Sequence, residues 1–278
     1  MVSGFLWDFK YEKLRRNQYK TYKFIFYMQL TNLDPSSILI LFLAFALGGL
    51  VKGATGAGSP VIAIPVLTIF FDAKLAVAVM AVPNLFSNMV QIKQFRQSVD
   101  SIEFSLRFAV FGSIGCFAGS TLFILSSTRM IELLVGGITI LYVFFSLTKN
   151  PHKISRQFAN RIAPILGIIG GFVQGTCGVS APVALGYLNS IAMNRNEFIF
   201  TISCFFGAMA GAQLVLLTLF SFFTWELFFV GILALAPLTL GMPVGERLTK
   251  NFSSQAFEKL ILTFLVVLSI QIFAKPYI

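Results

Sequence analysis

Gly48-Gly49-Leu50-Val51-Lys52-Gly53-Ala54-Thr55-Gly56-Ala57-Gly58-Ser59-Pro60 stands inside an apolar run that extends roughly from residue 36 to 71. That run is long enough to cross about 30 Å of hydrocarbon, yet its middle is filled with glycines, a lysine and a proline. Glycine and proline interrupt helices, so the stretch reads as a helix broken at membrane depth. A second copy, Gly170-Gly171-Phe172-Val173-Gln174-Gly175-Thr176-Cys177-Gly178-Val179-Ser180-Ala181-Pro182, breaks the apolar run 162–189. Gly48, Gly49, Gly53, Gly56 and Pro60 fall on Gly170, Gly171, Gly175, Gly178 and Pro182, each 122 positions later, without a gap.

Outside the two breaks, further apolar runs fall at about 75–92, 104–126, 130–148, 197–223, 225–245 and 257–274. A second match stands at an offset of 126: Gly115 and Gly119 fall on Gly241 and Gly245, and Ser127 and Glu132 on Ser253 and Glu258. Two blocks at nearly one offset predict an internal duplication. The expected fold is all-α: a polytopic helical membrane protein of about eight transmembrane segments, arranged as two homologous four-segment repeats with Gly-rich broken helices. The expected divisions are a basic cytoplasmic or interfacial segment at 1–34, a first repeat at 35–148, a polar linker at 149–161 and a second repeat at 162–278.

Composition agrees. Of 278 residues, 56% are apolar, 12% are charged and 32 are Phe, with mean hydropathy +0.83. So few charges cannot cover a soluble surface, and the long continuous runs exclude an outer-membrane barrel. The net charge of +10 comes from bases that mostly flank the apolar runs, where anionic headgroups account for them; nucleic acid is not an expected partner. Cys116, Cys177 and Cys204 form no CxxC, and the single histidine, His152, lies in the polar linker. No metal site, cofactor or catalytic constellation follows, and the chain is not expected to be an enzyme.

A helix broken inside the bilayer leaves backbone amides that protein, water or a ligand must satisfy. Pro60 and Pro182 suit the first turn of a resumed helix, whose N-terminus carries roughly +0.5 charge. Such an end attracts anions. The candidate substrate-binding residues are therefore Gly53, Thr55, Gly56, Gly58 and Ser59 in the first break, with Gly175, Thr176, Cys177, Gly178 and Ser180 in the second. Gly48-Gly49 and Gly170-Gly171 read as packing glycines. Lys52 is a candidate gate or charge partner, and Gln174 is its neutral counterpart. Asn84, Asn88 and Gln91, at i, i+4 and i+7, share a helix face: they line a polar path or form a seam between helices. Glu132 and Glu258 read as helix N-terminal charges, and no carboxylate is placed mid-span for a proton relay. Counting bases in loops favours broken runs that cross the membrane over runs that re-enter, with the N-terminus inside.

The paired Gly-Gly-x-x-x-Gly-x-x-Gly blocks, each followed by small residues and Pro, resemble the TauE/SafE family of sulfite and organosulfur-anion exporters. The resemblance covers about residues 36–275. The second copy departs in having Tyr187 where the first has Pro65. The resemblance implies a secondary transporter, an exporter of a small anion such as sulfite or an organosulfonate, in the bacterial cell membrane or its equivalent. Its partners are then the anion and the lipid bilayer, and homo-oligomerisation stays open. An anion channel, and a sulfur relay through the Cys177 thiol, are the alternatives.

Overall fold

The computed structural model describes residues 34–99, 102–147, 153–251 and 254–275. The expected interfacial segment 1–34 lies outside them except for Asp34. The described residues form ten α-helices: α1 Pro35–Thr55, α2 Ser59–Phe70, α3 Ala73–Phe95, α4 Glu103–Leu125, α5 Thr128–Leu147, α6 Arg156–Cys177, α7 Ala181–Asn189, α8 Arg195–Leu219, α9 Trp225–Asn251 and α10 Ser254–Ala274. The backbone divides into residues 1–38 and 39–278. In the first unit, the Asp34 carboxylate accepts the Ser36 hydroxyl and the Ser37 N–H. Those bonds to the charged form hold its carboxyl down at about 2. The rest of this section concerns the second unit.

Helix starts follow the local sequence. Asp72, Ser155 and Asn194 each cap the helix that follows by accepting the backbone N–H of Leu75, Phe158 and Glu197. The Ser155 cap starts α6 at Arg156. Six helices (α1, α3, α4, α5, α8 and α9) are long and apolar enough to cross a membrane. Their company of exposed large apolar side chains, such as Ile165 of α6, Leu233 of α9 and Leu260 of α10, is what a lipid-facing surface requires.

Both interrupted runs double back instead of continuing straight. Gly48 of α1 lies against Ser59 and Ala63 of α2, and Gly170 of α6 lies against Val183 of α7. In a straight run these residues would be separated by more than two helical turns. α2 and α7, with 12 and 9 residues, reach only about 18 and 14 Å, less than the thickness of a hydrocarbon core.

Two interfaces between parallel helices bring the backbones together. On α1 and α9, a Cβ added to Gly49 or Gly53 would stand 2.0 Å from Leu238 O or 1.9 Å from Met242 O; those added to Gly241 and Gly245 meet Ala46 O and Leu50 O. On α4 and α6, Gly171 and Gly175 meet Gly112 O and Cys116 O, while Gly115 and Gly119 meet Ile168 O and Phe172 O. Each contact of one interface reappears in the other with its residue numbers shifted by 122 on one side and 126 on the other. Only a missing side chain permits so close an approach. Beside the α4–α6 interface lies a buried cluster in which Phe108 stacks on Phe205 at 3.9 Å, with Tyr187, Leu188, Ile202 and Met209 in the same cluster.

Gly171→Ala forces α6 away from the Gly112 carbonyl, 1.9 Å from the new Cβ. Gly137→Ala meets nothing within 4 Å and adds helix propensity. Thermal unfolding of the purified protein should show Gly171→Ala destabilised by about 1–3 kcal/mol and Gly137→Ala unchanged or slightly more stable.

Candidate functional site

The first break is three residues wide: Gly56, Ala57 and Gly58, between α1 and α2. Gly56 and Gly58 have φ of +80° and +97°, the left-handed region that only glycine adopts without strain. Gly58 is the N-cap of α2, supplies no side-chain cap, and is followed by Ser59 and Pro60 in the first turn. The Val61 N–H bonds to Gly58 O at 3.0 Å, and the amides of Gly58 and Ser59 stand ahead of that bond, where a helix offers no acceptor. Ser59 is fully buried and its Oγ has no hydrogen-bond partner. An unsatisfied buried hydroxyl costs about 1–3 kcal/mol. Thr55 differs: its hydroxyl is turned onto the Val51 and Ala57 carbonyls.

The second break, Gly178-Val179-Ser180, keeps only one left-handed glycine and has a different interior: Ser180, which stands where Gly58 stands, has φ −111°. Gly178 has φ +75°, and Pro182 occupies the first turn of α7. Ser180 Oγ donates to Gln174 Oε1 at 2.9 Å. The Thr176 hydroxyl donates to Phe172 O at 2.8 Å. The Cys177 thiol is buried and donates to Val173 O at 3.2 Å. Gln213 Nε2 of α8 donates to Gly175 O at 3.3 Å. Each break touches the neighbourhood of the other: Gly178 lies against Ile64 of α2 and Val77 of α3, Gly56 lies against Ile199 of α8, and Ala57 shares a buried cluster with Ala184 of α7. Gly53 and Gly175, candidates for binding, instead stand at the helix interfaces described above.

Lys52 is 1% exposed. Its Nζ donates to Asn88 Oδ1 at 2.6 Å, and Asn88 Nδ2 donates on to Asn84 O and Oδ1 at 2.6 and 2.8 Å. Among the described residues no carboxylate pairs with Lys52. Gln91 Oε1 accepts Ser203 Oγ at 3.0 Å, tying α3 to α8. The α3 face therefore carries hydrogen bonds to Lys52 of α1 and Ser203 of α8.

Several residues around the breaks were not singled out from sequence. Gln213 lies 122 positions after Gln91, so the repeat offset could have drawn attention to it. Lys275, 122 after Lys153, closes the far end of α2: its Nζ donates to Thr68 O and Phe71 O at 2.8 and 2.6 Å and pairs with Glu132 at 2.9 Å. Lys153 Nζ donates to Asn189 O, the last residue of α7, at 3.5 Å. Cations at helix C-termini stabilise them. Glu132, read as an N-terminal charge, is also paired with Arg129 at 3.3 Å. Tyr187, which replaces Pro65, donates its hydroxyl to Ala159 O at 2.6 Å.

The model of the sulfite exporter TauE/SafE family matches residues 41–272, and so contains both breaks and both glycine interfaces. The chain belongs to the TauE/SafE family. None of the curated proteins and none of the solved structures matches it. Membership in TauE/SafE, with the apolar helices, makes this a multi-pass membrane protein of an anion-exporter family.

Two of the three left-handed glycines of this TauE/SafE chain, Gly58 and Gly178, separate backbone strain from packing. A Cβ on Gly58 meets nothing nearer than 3.7 Å, whereas one on Gly178 meets Ile64 Cδ1 at 2.5 Å and Val77 Cγ2 at 3.1 Å. Gly58→Ala should cost about 1–2 kcal/mol from φ alone. Gly178→Ala should cost more, since overpacking is added. Thermal unfolding of the two variants side by side checks that order.

Proposed function

We propose that this protein is a secondary transporter that exports a small anion, with sulfite or an organosulfonate as the substrate class, bound by backbone amides and hydroxyls of Gly-rich helix breaks near the membrane midplane. The observation that carries the reading is the pair of buried breaks, each followed by a half-helix whose N-terminus has no side-chain cap. Backbone amides at such an end, inside an apolar bundle, favour a negative solute. The Lys52 ammonium, buried without a carboxylate, supplies a compensating charge. Gly56, Gly58 and Ser59 form the first half of the site; Gly178 and Ser180 form its counterpart. Thr55, Thr176 and Cys177 support the break geometry through their carbonyl bonds.

The mirrored glycine contacts support an internal duplication, and the doubled-back half-helices support repeats of inverted orientation, since each then contains an odd number of helices. In that arrangement α1 of the first repeat packs on α9 of the second, and α6 of the second on α4 of the first. Rocking of these crossed pairs about the breaks is the motion that would expose the site alternately. Export of an anion from an inside-negative compartment is electrically downhill by about 2.3 kcal/mol per charge per 100 mV, so no coupling ion is required. A sulfur relay at Cys177 finds no support in a thiol that is buried and turned onto a carbonyl.

Proteoliposomes loaded with labelled sulfite should release it faster than protein-free vesicles, with saturation, and unlabelled sulfite outside should accelerate the release. Acceleration by the trans anion marks a carrier; its absence together with fast release would mark a channel. Release no faster than from empty vesicles, for sulfite, taurine and sulfoacetate alike, contradicts the reading.

A further inference from the structure

The two breaks share one left-handed glycine, Gly56 and Gly178, but not a polar interior. In the second, every hydroxyl and thiol already has a partner: Ser180 bonds Gln174, Thr176 bonds Phe172 O, and Cys177 bonds Val173 O. Gln213 adds a donor to Gly175 O. Gln174, which stands where Lys52 stands in the first copy, carries no charge. The second break is neutral and closed upon its own side chains.

The first break is neither. Ser59 Oγ is fully buried on the first residue of α2 and has no partner. Ser59 stands where the second copy has Ala181, so that hydroxyl has no counterpart there, and Lys52, which matches Gln174, reaches Asn88 on α3. Both half-helices start without a side-chain cap, but the unpartnered buried hydroxyl and the buried lysine lacking a carboxylate belong to the first break only.

We propose that the chain holds one anion per molecule, seated at the first break by the Ser59 hydroxyl and the start of α2, with Lys52 as its counter-charge, while the second break is a structural counterpart that takes no ligand. This rests on the transport reading above and narrows its site from both breaks to the first. The duplication supplied two breaks; substitution of Lys by Gln, or the reverse, made one of them a site. Asn84 and Asn88 then serve as the acceptor arm that holds the ammonium within reach of the break.

The test is calorimetric titration of the purified full chain in nanodiscs with sodium sulfite. The expected stoichiometry is one sulfite per chain. Ser59→Ala should weaken that single site by about tenfold, the worth of a hydrogen bond to a charged group, and Lys52→Met should weaken it at least as much. The unmutated chain decides the stoichiometry even if a variant fails to fold. Two sulfites per chain, or a Ser59→Ala chain that still binds one sulfite with unchanged affinity, overturns the proposal and leaves the transport reading standing. Absence of binding for sulfite, taurine, sulfoacetate and acetate overturns both.

Discussion

A backbone that leaves its helix inside an apolar bundle must find other partners for its amides and carbonyls. The rest of this structure is arranged around that requirement. Gly56, Gly58 and Gly178 let the chain turn with positive φ. Pro60 and Pro182 remove one amide from each exposed first turn. At the opposite ends of the half-helices, Lys275 and Lys153 reach the last carbonyls of α2 and α7. What stays unsettled by the protein itself is the start of α2, where Ser59 has no partner.

Holding two breaks inside the bundle requires neighbours that come unusually close, and the glycine interfaces provide them. Gly49 and Gly53 admit the α9 backbone, and Gly171 and Gly175 admit that of α4. These contacts place α1 and α6 side by side with helices far away in sequence. They also make each break lean on the other half of the chain, Gly178 on Ile64 and Gly56 on Ile199.

Much of this was legible in the sequence because it is written in glycine, proline and hydropathy. The apolar runs gave the helices to within a few residues, and the two Gly-rich blocks marked the breaks. Lys52 was visible as a lone base in an apolar run. The doubling back at Gly58 and Gly178 was not legible: it depends on Gly48 accepting Ser59 and Ala63 beside it, a contact made only once the bundle forms. Nor were the partners of polar side chains, since Ser203, Gln213 and Lys275 meet residues 38 to more than 200 positions away. Equal roles for the two breaks followed from aligned glycines. The sequence already set Lys52 against Gln174 and Ser59 against Ala181; that Ser180 finds an acceptor in Gln174 while Ser59 finds none is a property of packing.

The central claim is that an oxyanion sits on the uncapped start of α2. Selenite has the pyramidal oxyanion of sulfite and an anomalously scattering centre, so crystals of the full chain grown with it give a direct answer. The account predicts an anomalous peak at the start of α2, with a selenite oxygen within hydrogen-bond distance of Ser59 Oγ. An anomalous map with no peak there, or with peaks only elsewhere on the protein, contradicts it.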